Sequence, residues 1–569
     1  MRVPHERLRS VDSPAIARAV VEEVLCSGVT DVVVCPGSRS APLALTLADA
    51  ERRGLVRMHV RLDERSGAYL ALGLAKISGR PVAVVTTSGT AAVNLHPAIV
   101  EAAYSGLPLV AITADRPGAV RGSGANQTID QRGVYGVDVV DGVDLTTVSE
   151  ADLRATVTAL MGMAVSGQGP VHLNVPLAEP LVGPGEHSIG EIAVRGTLRP
   201  PAVVPVPLDA ILPAGVNAAH GLIIAGDFDD DEMRNALGSL ASVMGWPIIS
   251  EPSGNLSGHP QALRHGPLVL SSFSATGEVP DVVITVGRIG LHRPEIELLR
   301  AARVHIAVDV PPRLGRVDPA QTAHIVVEEV PEPRGGSDPE WLRAWRAADD
   351  LAARALDSAA GEMPAGSGSF TGVDVARIVA RHAGADDLLV IGASFPVRHV
   401  SAYGGALRAR CIGNRGTAGI DGVISTAWGA ALAHAHEHPL GMTYALVGDL
   451  TALYDRNGLL AGPSEQLPRL TYVVIDNDGG GIFSTLEQGA PAFADDFERV
   501  FGTPHGGDLM ALLAAPRVTA VAVATTEELR EALAAPSTGV QVIVARCASR
   551  SEESAHVMRM NAAVLEALT

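Results

Sequence analysis

Two strand ends in the last third of the 569-residue chain carry oxygen donors that chain topology could bring together. The apolar run Tyr444–Val447 stops at Gly448-Asp449-Leu450, and the run Leu470–Ile475 stops at Asp476-Asn477-Asp478 followed by three glycines. As neighbouring parallel strands, these runs place Asp449 and Asn477 side by side at the carboxyl edge of a sheet, where open α/β sheets bind ligands. A hard cation such as Mg2+ takes a few oxygens from protein and the rest from phosphate and water. The pair therefore fits a cation that anchors a phosphorylated ligand. The glycines let backbone approach a phosphate closely. Asp and Gly are also ordinary turn residues, so the pair needs a second feature beside it.

Glu64 is that feature. It lies in HVRLDERSGAYLALGLAK, at the start of a helix whose Leu70, Leu72 and Leu74 imply burial. A carboxyl moved into apolar surroundings favours its neutral form, which suits a proton donor or a hydrogen bond to a ring nitrogen. An acid at a helix amino end also complements the helix dipole. The company of Asp449 and Asn477 turns the balance toward chemistry.

The spacing of Gly448-Asp449 and Asn477 resembles the diphosphate-anchoring motif of thiamine-diphosphate enzymes, in which GDG is followed by Asn at the end of the next strand. Here Leu450 stands where the general motif has Gly. The segments CPGSRSAPL (35–43), DERSGAYLALG (63–73), TSGTAAVNLHPAIVEA (87–102), TADRP (113–117), GANQTIDQ (124–131) and NRGTAGIDG (414–422) narrow the resemblance. Together with GDLTALYD (448–455), they are similar to the MenD family, the 2-succinyl-5-enolpyruvyl-6-hydroxy-3-cyclohexene-1-carboxylate (SEPHCHC) synthases, in which Leu follows Gly-Asp. The resemblance covers both outer thirds of the chain and is weak in the middle.

This resemblance implies a transferase of menaquinone biosynthesis. Such an enzyme decarboxylates 2-oxoglutarate on thiamine diphosphate and adds the resulting succinic semialdehyde carbanion to isochorismate. It implies Mg2+ or Mn2+ held by Asp449, Asn477 and Gly479, with Gly448 and Leu450 also in the cofactor-binding set. Ile420 would bend the cofactor, Ile482 and Phe483 would wall the reaction centre, and Glu64 would reach the aminopyrimidine across a subunit interface. Both substrates are dicarboxylates, and arginine offers a planar fork that stays charged when desolvated. By resemblance, Ser394, Arg398 and Arg415 hold 2-oxoglutarate, while Ser38, Arg39, Arg116 and Gln127 hold isochorismate or shared carboxylates. Arg39, Arg116, Arg398 and Arg415 all fall in predicted loops. In the middle, Arg293, with Arg288 before it, is expected to face isochorismate.

The elements that must position these residues read as strands alternating with helices, hence parallel doubly wound sheets. In the first set, a helix over 13–27 precedes a strand Asp31–Cys35, followed by strands Val82–Thr86, Leu109–Thr113 and Val171–Val175. From Gly183 to about Pro213 a Pro-rich stretch reads as an extended linker. A second set comprises Gly221–Ala225, Pro247–Ser250, Asp281–Gly287, Val304–Val310 and His324–Val327. A break at Pro331–Gly336, a helical stretch and Met363–Gly368 lead to the third: Leu388–Ile391, Tyr444–Val447, Leu470–Ile475, Val518–Val523 and Val540–Val544. The expected architecture is three α/β domains of the thiamine-diphosphate enzyme type. These are a pyrimidine-binding domain (1–185), a central domain (210–345) and a diphosphate-binding domain (365–569).

Composition sets the outer bounds. The chain is 47% hydrophobic but 3% aromatic, with 60 Gly and 38 Pro, which suits Val- and Leu-rich strands joined by many turns. A formal charge of −19 argues against nucleic acid or an anionic membrane as partner. Cys26, Cys35, Cys411 and Cys547 show no metal or disulfide spacing, and neither a signal peptide nor a membrane-length apolar run is seen. A cytoplasmic homodimer or homotetramer with active sites at subunit interfaces is expected. The rivals are another thiamine-diphosphate 2-oxo acid decarboxylase or carboligase, which would not need several carboxylate-binding arginines, and a non-catalytic nucleotide-binding α/β protein.

Overall fold

The computed structural model describes residues 12–146, 149–183, 187–195, 204–276, 279–309, 318–361, 370–535 and 538–569. Val310, the Met363–Gly368 break and part of the Pro-rich linker lie outside these residues.

Three sheets follow one another along the chain. The first contains β1 (Asp31–Val34), β2 (Arg57–Val60), β3 (Val82–Thr86), β4 (Leu109–Asp115), β5 (Asp141–Asp144) and β6 (Val171–Pro176), in the order β2-β1-β3-β4-β6-β5. The second contains β7 (Gly221–Ala225), β8 (Ile248–Ser250), β9 (Val282–Val286), β10 (Val304–Val308) and β11 (Ile325–Val327), in the order β11-β10-β9-β7-β8. The third contains β12 (Leu388–Ile391), β13 (Arg410–Ile412), β14 (Thr443–Gly448), β15 (Leu470–Asp476), β16 (Val518–Val523) and β17 (Val540–Arg546), in the order β13-β12-β14-β15-β17-β16. The pairings are parallel throughout, as in Asp31↔Arg57, Ile223↔Ile248 and Val447↔Val474. Parallel strands covered by helices on both faces must be apolar on both faces, and β3, β7, β9, β10 and β12 are buried at every residue.

Three strands carried no apolar run in the sequence: β2, β5 and β13. All three are sheet edges. An edge strand is covered less completely, so its residues need not be apolar, and β2 and β5 each expose two of their four residues. The linker is also less free than its composition implies. Ile189 is buried against the first unit, its N–H donates to Asp49 at 3.1 Å, and the Arg195 N–H donates to the Cys26 carbonyl at 2.7 Å.

The first and third units share one core. Leu70, Leu72 and Leu74 of helix Glu64–Ser78 and Trp428 of helix Val423–Glu437 join residues of both sheets, including Val84, Val390, Val447 and Val474. The two helices cross in direct backbone contact. A Cβ on Gly73 would lie 2.0 Å from the Thr426 carbonyl oxygen, and one on Gly429 would lie 2.0 Å from that of Leu70. Only glycine admits this approach. The helix is started by Asp63, whose carboxylate accepts the N–H groups of Arg65 and Ser66, and it stops at Gly79 with φ 62°.

Candidate functional site

Strand order brings the third unit's candidates together. Arg415 follows β13, Ser394 and Arg398 follow β12, Asp449 follows β14 and Asn477 follows β15, and these four strands are consecutive neighbours. The first unit's candidates line its own carboxyl edge in the same way. Glu64 follows β2, Ser38 and Arg39 follow β1, Arg116 follows β4, and Gln127 docks on the loop after β3.

Asp449 and Asn477 are joined through the Asp449 carboxylate. Its Oδ2 accepts the N–H of Gly479 at 2.8 Å and that of Asn477 at 3.2 Å, and its Oδ1 accepts the Leu450 N–H at 2.6 Å. Asp449 is the first residue of a short helix, Asp449–Tyr454, with Gly448 at its cap. Burial pushes its carboxyl up to about 6, against the opposing pull of these backbone donors. A carboxylate so buried gains most from a cation that replaces its lost water. Space beside Gly448 is open, with nothing within 4 Å of where a Cβ would sit. The residues present therefore fit a cation with a diphosphate against the strand end. Asp476 and His505, which the sequence reading passed over, complete a cluster with Asp449. The His505 Nε2 lies 3.2 Å from Asp476 and 3.8 Å from Asp449. His505 sits in a loop far along the chain and gave no spacing signal.

The glycines after Asn477 have a different neighbour from the one expected. A Cβ on Gly479 would lie 2.1 Å from the Gly502 carbonyl oxygen, and one on Gly480 would lie 2.4 Å from that of Phe501. Gly480 also donates to the Gly502 carbonyl at 2.7 Å, and the Gly479 carbonyl accepts the Gly481 N–H. The close approach at Gly479 and Gly480 thus admits the chain's own segment 498–502. Ile482 and Phe483 follow in a half-buried 3-10 turn, Gly481–Thr485, and Ile420 is half-buried in the loop after Arg415.

Among the arginines, Arg398 departs from expectation. It lies within helix Phe395–Tyr403, not in a loop, because the apolar residues of FPVRHVSAY bury one side of a full helical run. Its Nη1 donates to the carbonyl of Ser394, which caps this helix with φ 71°. Arg415 is buried and its Nε finds no protein acceptor. Burial first, and then Arg415, lower the Arg398 guanidinium below its ordinary value. Beside this pair stand His292, which burial drives down to about 3, and Glu251, raised by burial against the pull of Arg415. Glu251 and Glu295, both from the middle unit, were not visible as site residues in the sequence. Half-buried Arg398 and buried Arg415, with a carboxylate behind them, make a receptor for an anionic group.

The remaining candidates are more engaged. Arg39 is buried, donating to the Leu177 carbonyl at 3.0 Å and facing Glu179 at 3.3 Å, while Ser38 is exposed. Arg116 donates to the Asn126 carbonyl, and Gln127 exchanges two hydrogen bonds with Ser88 from a backbone at φ 54°. Arg288 donates to the Tyr104 carbonyl, and Arg293 is 72% exposed and paired with Glu487 at 2.7 Å. Glu64 is half-buried; the adjoining Arg65 donates to the carbonyl of Tyr454, the last residue of the Asp449 helix, and Asp63 accepts from Asn457 just beyond it.

No helix among the described residues is long and apolar enough to cross a membrane. Residues 15–134 match the family model of the thiamine pyrophosphate enzyme N-terminal TPP binding domain. The chain is 40% identical over 548 residues to the SEPHCHC synthase of Nocardioides sp., spanning 93% of this chain and 94% of that protein. It is 42% identical to that of Thermobifida fusca (87% and 89% covered) and 40% identical to that of Saccharopolyspora erythraea (98% and 99% covered). With three parallel α/β sheets and this likeness over nearly its whole length, the chain belongs to the 2-succinyl-5-enolpyruvyl-6-hydroxy-3-cyclohexene-1-carboxylate synthase family of thiamine pyrophosphate enzymes.

Proposed function

We propose that this protein is a SEPHCHC synthase of menaquinone biosynthesis, which decarboxylates 2-oxoglutarate and joins the remaining four carbons to isochorismate. One observation carries the substrate class: half-buried Arg398, on the helix after β12, and buried Arg415, in the loop after β13, open from the two strands that precede the Asp449 strand β14 in the sheet. A decarboxylase of monocarboxylic 2-oxo acids has no use for cations there. A dicarboxylate does.

Thiamine diphosphate, when bound, supplies an acidic thiazolium carbon and a place for negative charge to be delocalised. Asp449, Asn477 and the Gly479 carbonyl hold Mg2+ or Mn2+ on its diphosphate. Gly448 and Leu450 flank that anchor, and Ile420, Ile482 and Phe483 supply apolar walls. Glu64 hydrogen-bonds the pyrimidine ring and manages its proton. Ser394, Arg398 and Arg415 bind and orient 2-oxoglutarate, while Ser38, Arg39, Arg116 and Gln127, with Arg293 at the rim, orient isochorismate. In this reading residues 1–185 receive the pyrimidine, 365–569 the diphosphate, and 210–345 form the central domain.

Glu64 acts on a cofactor held by a second subunit, so the enzyme works as a homodimer or homotetramer. The apolar surface around Glu64 supports this: Leu62 is 77% exposed and Tyr454 52% exposed. Four unpaired cysteines, two of them buried, suit the cytoplasm.

The test is CO2 release from 2-oxoglutarate with thiamine diphosphate and Mg2+, with and without isochorismate. Strong stimulation by isochorismate with a new cyclohexene product is expected. Release indifferent to isochorismate would mean another thiamine-dependent decarboxylase or carboligase, and no release would refute the enzymatic reading.

A further inference from the structure

Asn477 is held at two points. Its backbone N–H is taken by Asp449, and its side-chain Nδ2 donates to Glu553 Oε2 at 2.6 Å. Glu553 belongs to the last helix, Arg550–Leu568, and is fully buried. Its other oxygen, Oε1, lies 3.1 Å from the Nε2 of His399, itself buried on the helix that carries Ser394 and Arg398. A carboxylate only accepts hydrogen bonds. Two consequences follow: His399 presents Nε2–H to Glu553, and the Asn477 carboxamide turns its NH2 toward Glu553. The same rotation turns Oδ1, the one side-chain atom able to ligate a cation, away from Glu553.

The surroundings are shaped to keep this arrangement. A Cβ on Gly372 would lie 2.2 Å from Glu553 Oε1, so only glycine leaves room for the carboxylate. A Cβ on Gly481 would lie 2.9 Å from Asn477 Nδ2 and 3.0 Å from the Phe395 ring, and that ring stacks on His399 at 4.7 Å. Without an acceptor at position 553, the amide could rotate and offer its NH2 to the cation, which repels it.

We propose that Glu553 is a positioning residue that fixes the Asn477 carboxamide with its oxygen toward the divalent cation, with His399 orienting Glu553 in turn. This rests on the reading of Asn477 as a metal ligand. Partners one shell behind a metal ligand typically set a 10- to 100-fold difference in metal affinity. Glu553 thereby ties the metal ligand to the helix of Ser394 and Arg398 through a fixed chain of hydrogen bonds.

The experiment is Mn2+ titration of the full-length protein with thiamine diphosphate, followed by electron paramagnetic resonance, with folding checked by circular dichroism. Glu553→Met fills the same volume but accepts nothing, and should weaken Mn2+ binding by about 10- to 100-fold. Glu553→Gln keeps an acceptor for Nδ2 and should stay within about threefold of the parent, a rescue that a purely structural role would not produce. A folded Met variant with parental affinity, or a Gln variant as weak as Met, overturns the proposal. Should Glu553→Met not fold, Glu553→Asp, which withdraws the carboxylate by one methylene, must weaken Mn2+ binding; parental affinity there also overturns it. Asn477→Ala is the control. If it binds Mn2+ normally, the ligand assignment fails. If it binds weakly while the Glu553 variants bind normally, the positioning role alone fails.

Discussion

The carboxylate of Glu101 holds the loop of Arg415 from the opposite unit of the chain. Its Oε1 accepts the Gly416 N–H at 2.7 Å, and its Oε2 accepts the Thr417 N–H at 2.7 Å and hydroxyl at 2.8 Å. Glu101 is buried on helix His96–Ser105, so the loop after β13 takes its position from the first unit. Glu101→Ala would strand two backbone donors and a hydroxyl, each at about 1–3 kcal/mol where water cannot reach them. A lowered melting temperature is expected, together with a rise in KM for 2-oxoglutarate larger than the fall in kcat. An unchanged KM in a folded variant would show that Arg415 needs no such support.

Glu64 tests the reading from the other side. The helix it begins is capped by Asp63 and closed by Gly79, so Glu64→Gln leaves both signals intact and the fold should persist. A positioned acid or base contributes about 10²- to 10⁴-fold to rate. The variant should therefore bind Mn2+ and thiamine diphosphate as the parent does, while turnover falls by at least about 100-fold. Near-normal turnover would remove Glu64 from the mechanism.

Much of this was legible in the sequence because parallel strands announce themselves. Buried on both faces, β3, β9 and β12 are almost wholly apolar, with one threonine each in β3 and β9. Asp449 and Asn477 were therefore findable at the ends of such runs in β14 and β15, whereas Arg415, after the edge strand β13, was reached through the resemblance of NRGTAGIDG. Edge strands such as β5 carry no such pattern. Glu553, His399 and Glu101 were hidden for another reason. Each acts on a partner 76 to 316 residues away, and no local spacing encodes that distance. The helical setting of Arg398 was missed because Ser394-Phe395-Pro396 reads as a turn, whereas Pro396 occupies the first turn of a helix, where it is tolerated.

His172 predicts a pH dependence of stability. Burial lowers it from 6.5 to about 4, and its Nε2 donates to Thr113 Oγ1, whose own proton goes to Asn174. The folded value lies below the unfolded one, so the unfolded chain binds more protons between about pH 4 and 6.5, and stability falls as pH drops through that window. The loss reaches about 3 kcal/mol. Urea unfolding at pH 7, 5.5 and 4.5 should show the advantage of the parent over His172→Gln shrinking with acid. A gap independent of pH would mean that His172 titrates in the folded protein as it does in water.

The contact between the first and third units predicts a sharp asymmetry among glycines. Gly429→Ala places a methyl about where the Leu70 carbonyl oxygen now sits, 2.0 Å from the ideal Cβ. A clash with backbone cannot be relieved by a rotamer change, so helices Glu64–Ser78 and Val423–Glu437 must separate and loosen the core around Leu70 and Trp428. Overpacking usually costs about 1–3 kcal/mol, and this case belongs at or above the upper end. Gly162, inside helix Glu150–Val165, meets nothing within 4 Å, and Gly162→Ala should stabilise by about 0.5–1 kcal/mol through helix propensity alone. Chemical denaturation of the pair checks both signs. Because the same crossing fixes the helix that begins at Glu64, Gly429→Ala should also lower activity in whatever fraction remains folded. A Gly429→Ala protein as stable and active as the parent would mean that the two helices are free to slide, and that Glu64 is positioned by something other than this contact.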